Sequence, residues 1–293
     1  MKSNSKIQLG ILGENISYTK SPLLHNLISK QKNINLDYKI FDVSESEFEK
    51  FIINQLREIN GFNITIPYKE SVIPYLHYIE QTAEKIRAVN TVKVKNNKFY
   101  GYNTDIIGFI KTIKLHILNY KKYFPVLIGY GGVSKAVIFG LEELGFSNCA
   151  VIGGLDNSER KEMINNISPK LKIKITENIP TNLPILWINA TPIGTNNFPK
   201  ISDNFIKIRK NDFLFDLNYS PNPTHLQKWF INSHSPVRAG KAVKLQRNDN
   251  KIKSVNGIYM LIYQGIASEE IWFPNINFVN LNIENIVEEI YKN

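Results

Sequence analysis

The sequence predicts an α/β protein of two domains, and three observations carry that prediction. Short apolar runs alternate with helical stretches through the first third of the chain. A second alternation starts near residue 105, where an apolar strand runs into Gly129-Tyr130-Gly131-Gly132 and a helix follows. Strand, glycine turn, helix, strand is the pattern of a parallel sheet with crossover helices. The tail is helical again, and 293 residues suffice for two domains of ordinary size. The expected division is a first domain over 1–104, completed by 258–293, and a second over 105–257.

Each element has its own signal. Lys6 to Leu12 reads as a buried strand. Pro22 to Gln31 reads as a helix with Ser21 as N-cap and Pro22 at its first position. Tyr38 to Val43 alternates like a strand, and Glu45 to Arg57 has helical spacing. Gly61 to Ile66 is a short strand ended by Pro67, and Thr91–Lys95 with Lys98–Tyr102 forms a hairpin around Asn96-Asn97. In the second domain Tyr123 to Ile128 is a strand, and Ser134 to Leu144 a helix stopped by Gly145. Ala150–Ile152, Ile185–Ile188 and Phe213–Asp216 are further strands. The segment 238–254 is polar and basic and reads as a loop, and Gly257–Ile271 and Ile283–Tyr291 read as helices.

Composition narrows the function. Hydrophobic residues make up 43% and charged residues 21%, an ordinary globular balance. The single cysteine, Cys149, rules out an internal disulfide and suits a reducing compartment. The N-terminal apolar run is too short for a signal peptide, and no stretch approaches a membrane span, so a cytoplasmic protein is expected. The net charge of +10 comes from lysines spread along the chain, which reads first as a compositional bias toward Lys, Asn and Ile; attraction of an anionic substrate and a phosphate-bearing cofactor is the functional reading, and a nucleic-acid surface is disfavoured. The five histidines are scattered and show no metal-ligand spacing, so no metal is expected.

The chemistry sits in eight short segments. Gly129-x-Gly131-Gly132 lies where a dinucleotide-binding turn should lie, between strand and helix, with free N–H groups and a positive dipole facing phosphates. Ser134 stands where the usual fingerprint has its third glycine, so by itself this is also compatible with a plain tight turn. In Ser17-Tyr18-Thr19-Lys20-Ser21-Pro22, Thr19 and Ser21 are two apart, so on an extended segment both hydroxyls reach one anion. In Asn63-Ile64-Thr65-Ile66-Pro67-Tyr68-Lys69, Asn63 and Thr65 alternate to one side of a strand, and a lysine at its end can exchange a proton with an alkoxide. Alone, such a lysine is normally a solvated charge. Asp105, in Gly101-Tyr102-Asn103-Thr104-Asp105, is a helix cap, a carboxylate partner for an ammonium, or both.

Together with Ala88-Val89-Asn90-Thr91, Ile188-Asn189-Ala190-Thr191, Asp216-Leu217-Asn218-Tyr219-Ser220-Pro221 and Asn256-Gly257-Ile258-Tyr259-Met260-Leu261-Ile262-Tyr263-Gln264, these segments resemble the shikimate dehydrogenase family over nearly the whole chain. The resemblance implies a Rossmann-like cofactor domain, and the reversible NADPH-dependent reduction of 3-dehydroshikimate to shikimate in aromatic amino acid biosynthesis. It implies Lys69 and Asp105 as the catalytic pair. Thr19, Ser21, Asn63, Thr65, Asn90, Tyr219 and Gln264 would bind substrate. Gly129, Gly131, Gly132, Val133, Asn189, Thr191, Leu217 and Gly257 would bind the cofactor. The partner implied is the small-molecule substrate, with no nucleic acid or membrane, and a monomer or homodimer. Many members carry Asn-Arg-Thr after the second strand of this domain; here the stretch is Gly153-Gly154-Leu155-Asp156. NADP is the family's cofactor, and NAD stays open, since Arg160 and Lys161 could serve the 2′-phosphate or Asp156 a free ribose hydroxyl. A relative that also oxidises quinate and a non-catalytic metabolite-binding relative are the other readings.

Overall fold

The structure is a computed structural model and describes residues 6–153, 166–175, 179, 182–201, 206–234 and 254–292. The chain divides into two compact units. One reaches to Lys111 and takes in Lys135–Gly140 and Tyr259–Asn293; the other comprises Thr112–Ser134 and Leu141–Ile258.

The first unit is built on a six-stranded mixed sheet ordered β2-β1-β3-β5-β6-β4. Its strands are β1 (Ile7–Gly13), β2 (Leu36–Asp42), β3 (Gly61–Ile64), β4 (Tyr78–Ile79), β5 (Thr91–Lys95) and β6 (Lys98–Tyr102). Its helices are α1 (Ser21–Gln31), α2 (Glu45–Asn54), α3 (Gln81–Ile86), most of α4 (Asp105–His116), α7 (Ile258–Trp272) and α8 (Ile283–Lys292). β1 pairs parallel with β2 and β3, which explains its wholly buried stretch from Leu9 to Gly13: a central strand covered on both faces need not alternate. The β5–β6 hairpin turns at Asn96 and Asn97, with φ of 51° and 57°; asparagine tolerates the left-handed region that the hairpin twist demands. One core gathers Leu12, Phe48, Phe62, Tyr68 and Phe99, another Leu9, Ile16, Tyr38 and Trp272. Each such fully buried side chain contributes about 1.5–3 kcal/mol.

The second unit carries a wholly parallel six-stranded sheet, ordered β12-β11-β10-β7-β8-β9, and is Rossmann-like. Its strands are β7 (Phe124–Ile128), β8 (Asn148–Ile152), β9 (Lys172–Ile175), β10 (Ile185–Asn189), β11 (Phe213–Asp216) and β12 (Ser254–Asn256). Helix α6 (His225–His234) belongs to this unit, and α5 (Ser134–Glu143) only by its ends, since Lys135–Gly140 falls in the first. Register decides what this sheet presents. Ile128 pairs with Asn189, Asn189 with Asp216, and Asp216 with Asn256. Four strands therefore end level, and ligands of open parallel sheets bind beyond such carboxyl ends.

Several expectations are corrected. Ser21 is the first residue of α1 rather than its cap; Lys20 occupies the cap position with no side-chain cap bond, and the Thr19 hydroxyl accepts the Ser21 N–H at 3.3 Å. Asp105 likewise opens α4, and Asn103 supplies the capping oxygen to the Ile106 N–H at 3.4 Å. The loop expected over 238–254 yields its last residue to β12, while the rest of it, with Gly154, Leu155, Asp156, Arg160 and Lys161, lies outside the described residues. The sequence reading also passed over α3, whose signal is a side chain: the Glu80 carboxylate accepts the Thr82 and Ala83 N–H groups, and Arg87 closes the helix at φ 52°. None of the described helices is long and apolar enough to cross a membrane.

Candidate active site

In the first unit the ends of β3 and β6 and the face of α7 gather polar side chains around one ion pair. Lys69 follows β3, and its backbone carbonyl accepts the Val89 N–H at 2.8 Å, which ties it to the segment bearing Asn90. Its Nζ donates to Asp105 Oδ2 at 2.6 Å across 36 positions of sequence. The two side chains are 15% and 12% exposed, so the pair is shielded yet reachable. In such a setting the attraction is stronger than in water, and the carboxylate fixes where the ammonium points.

Asp105 directly follows Thr104, and Thr104 binds the neighbouring amides. Asn90 Oδ1 accepts the Thr104 N–H at 2.7 Å, which sets the orientation of the Asn90 amide. Its Nδ2 donates to Thr104 Oγ1 at 3.0 Å and to Gln264 Oε1 at 3.4 Å. Gln264 Nε2 in turn donates to the Leu261 carbonyl at 2.9 Å. Gly108 makes this arrangement possible, since a Cβ there would stand 2.7 Å from the Met260 carbonyl oxygen. Asn63 is 5% exposed. Its Nδ2 donates to the Asn90 carbonyl, Thr91 Oγ1 and Ser268 Oγ at 3.0–3.1 Å. Thr19 and Ser21 meet, Thr19 Oγ1 donating to Ser21 Oγ at 3.2 Å, although the segment is not extended: Lys20 between them has φ −91° and ψ 2°. Thr65, half-buried, donates its N–H to the Leu12 carbonyl at 2.9 Å. The hydroxyls of Thr91, Thr104 and Ser268, mutually 2.8–3.2 Å apart, were not singled out from sequence. Small hydroxyl residues carry no spacing signal of their own.

The second unit builds a different site. Gly129 adopts φ +84°, and a Cβ there would overlap the Thr191 methyl, so the turn requires glycine. Gly131 and Gly132 are exposed, and a Cβ on Gly131 would meet nothing nearer than the Ala190 carbonyl at 3.8 Å, which leaves room for a phosphate against the backbone. Val133 is half-buried just ahead of α5. Ser134 does what the missing third glycine does not: its Oγ accepts the Gly131 N–H at 3.0 Å and donates to the Gly129 carbonyl at 3.4 Å, pinning the turn. This geometry fits a pyrophosphate at a helix N-terminus.

Beyond the turn, Asn189, Asp216 and Asn218 form a buried cluster. Asn189 is fully buried: its Oδ1 accepts from Thr191 Oγ1 at 2.6 Å and its Nδ2 donates to Asp216 Oδ1 at 2.9 Å. Asp216 also accepts from Asn218 and, at 2.6 Å, from Thr224 Oγ1. Burial pushes its carboxyl up to about 6, against the pull of those hydrogen bonds. Leu217 donates its N–H to the Asn189 carbonyl at 3.0 Å, and Gly257 lies so close to the Leu217 carbonyl that any Cβ would overlap it. Tyr219, half-buried, follows two residues later.

Comparison with known proteins gives the family. The family model described as "Shikimate dehydrogenase substrate binding domain" matches residues 11–92. A shikimate dehydrogenase (NADP(+)) of Clostridium botulinum strain 657 is 35% identical over 269 residues, covering 91% of this chain and 96% of that one. The chain belongs to the shikimate dehydrogenase family. Another member, the shikimate dehydrogenase (NADP(+)) of Saccharolobus solfataricus, is 32% identical over 284 residues, covering 96% and 93%. A crystal structure of a family member in complex with NADP+ superposes with a TM-score of 0.80 at 28% identity, over 100% of this chain and 97% of that one.

Proposed function

We propose that this chain is a cytoplasmic NADP-dependent shikimate dehydrogenase, interconverting 3-dehydroshikimate and shikimate. The observation that carries the reading is the shielded Lys69–Asp105 pair, continuous through Thr104 with the amides of Asn90 and Gln264. A keto polyol carboxylate needs these groups: amides for ring hydroxyls, hydroxyls for the carboxylate, and a positioned proton donor. Thr19 and Ser21 take the carboxylate, Asn90, Gln264 and Thr65 the ring hydroxyls, and Asn63 orders the amides behind them. NADPH, when bound, would supply the hydride for the carbonyl carbon. Lys69 delivers the proton to the carbonyl oxygen as it becomes an alcohol, and in the oxidative direction Lys69 accepts that proton. Asp105 keeps the Lys69 side chain aimed at that oxygen.

The glycine turn, with Val133 and the helix behind it, takes the pyrophosphate. Asn189 and Thr191 hold the loop beyond β10, and Leu217 and Gly257 form its neighbours, so the backbone that would line the nicotinamide is rigid before the cofactor arrives. The test is absorbance at 340 nm, with shikimate and quinate each offered NADP and NAD. Shikimate with NADP is expected to give the highest kcat/KM; no turnover of shikimate with either cofactor would refute the proposal.

A further inference from the structure

Behind the carboxylate-binding hydroxyls lies a buried cluster that the mechanism above does not use. His25, on α1, and Glu269, on α7, are both fully buried and meet at 2.7 Å between Nδ1 and Oε1, across 244 positions of sequence. The His25 ring stacks on Tyr38 of β2, with centroids 4.3 Å apart and planes 8° from parallel. Trp272 packs on the other ring contact of His25 at 5.4 Å. His25 Nε2 and Glu269 Oε2 have no hydrogen-bond partner, so the pair is held by packing and by its single contact. A buried pair of this kind is weak evidence for stability, since desolvation offsets the attraction. Its position is more telling: it fixes the plane of the Tyr38 ring.

Tyr38 is 7% exposed, and its hydroxyl reaches across β1 to donate to Asn63 Oδ1 at 2.6 Å. Through its ring the same tyrosine packs on α1, where His25 lies one turn beyond Ser21. Burial first, and the nearby Glu269 second, hold its pKa well above the usual tyrosine value, so it stays a neutral hydroxyl that can donate and accept at once. Thr19 donates to Ser21, and Asn63 donates onward to the Asn90 carbonyl, to Thr91 and to Ser268. One tyrosine therefore joins the helix that carries the hydroxyl end of the site, through its ring, to the amide end, through its oxygen.

We infer that Tyr38 is a positioning residue that sets the spacing between the carboxylate-binding hydroxyls and the hydroxyl-binding amides, with the His25–Glu269 pair as its anchor. The inference rests on the shikimate dehydrogenase reading. A Tyr38 without its hydroxyl leaves Asn63 Oδ1 buried and unpaired and frees the amide end to shift against α1, so substrate affinity falls while the chemistry at Lys69 does not.

The experiment is a cycle of Tyr38→Phe, Ser21→Ala and the double variant, with steady-state constants for shikimate and NADP and circular dichroism as a fold check. Phenylalanine keeps the stack on His25, so the fold is retained. Tyr38→Phe is expected to raise the KM for shikimate about three- to tenfold, as for the loss of one or two ordinary hydrogen bonds, with kcat within about twofold and the KM for NADP unchanged. The double variant should lose less than the product of the single losses, because both substitutions disturb the same spacing. Unchanged KM for shikimate, a parallel loss in NADP binding, or strictly multiplicative effects would overturn the inference while the wild-type enzyme remained active. A wild type inactive on shikimate would overturn the functional reading and this inference with it.

Discussion

Asp216→Asn tests the energetics of the cofactor unit directly. The Asp216 carboxylate is fully buried, and the rise of its pKa from 3.8 to about 6 means that folding disfavours its charge. At about 1.36 kcal/mol per pH unit, this amounts to roughly 3 kcal/mol against the ionised form. The sign follows from linkage. The unfolded chain releases this proton near pH 4, whereas the folded chain holds it until about pH 6, so the unfolded state binds fewer protons in between and stability falls as pH rises. Below pH 4 the contribution is fully present; above pH 6 it is gone. Asparagine is nearly isosteric and carries no charge. Its oxygen can keep the Oδ1 position, accepting from Asn189 and Asn218, and the Thr224 hydroxyl can rotate to accept from the new amide. Urea unfolding of both proteins from pH 4 to 8, followed by tryptophan fluorescence, reads the difference; Trp187 is buried on the strand beside β11. The stability of the variant relative to wild type should climb by up to about 3 kcal/mol between pH 4 and 6 and then stay level. A difference that is flat with pH, or that falls, would refute the account of this carboxylate.

Other substitutions address the sites. Lys69→Ala should lower kcat by roughly 10²-fold or more with the unfolding midpoint little changed, the usual scale for a group that moves a proton; a near-normal rate would remove Lys69 from the mechanism. Ser21→Ala should raise the KM for shikimate about tenfold or more while leaving the KM for NADP alone, since a hydrogen bond to a carboxylate is worth about 1.5–3 kcal/mol; equal losses for both ligands would contradict a role at the carboxylate. Gly129→Ala should weaken NADP binding, measured by calorimetry, and lower stability by about 1–3 kcal/mol, because alanine is strained at φ +84° and its methyl meets Thr191. Unaltered NADP affinity in that variant would show that the turn does not hold the cofactor.

The amino-acid sequence determined what periodicity and local chemistry can encode. The α/β class, the Asn96-Asn97 hairpin and the strand–glycine–helix unit were all legible, because each depends on residues a few positions apart. Short elements escaped, since six residues of α3 and three of β12 carry too little periodicity to stand out. Tertiary structure alone decided the rest. The Lys69–Asp105, Asn90–Gln264 and His25–Glu269 contacts span 36, 174 and 244 positions, and they exist because sheet register and helix packing place those backbones side by side. The same holds for residues whose type misleads. Nothing local marks Ser134 as the pin of the glycine turn or Asn189 as a buried brace, and nothing local distinguishes Tyr38 from an ordinary core tyrosine. A side chain's role follows from which groups its burial leaves it to satisfy, and that depends on the whole fold.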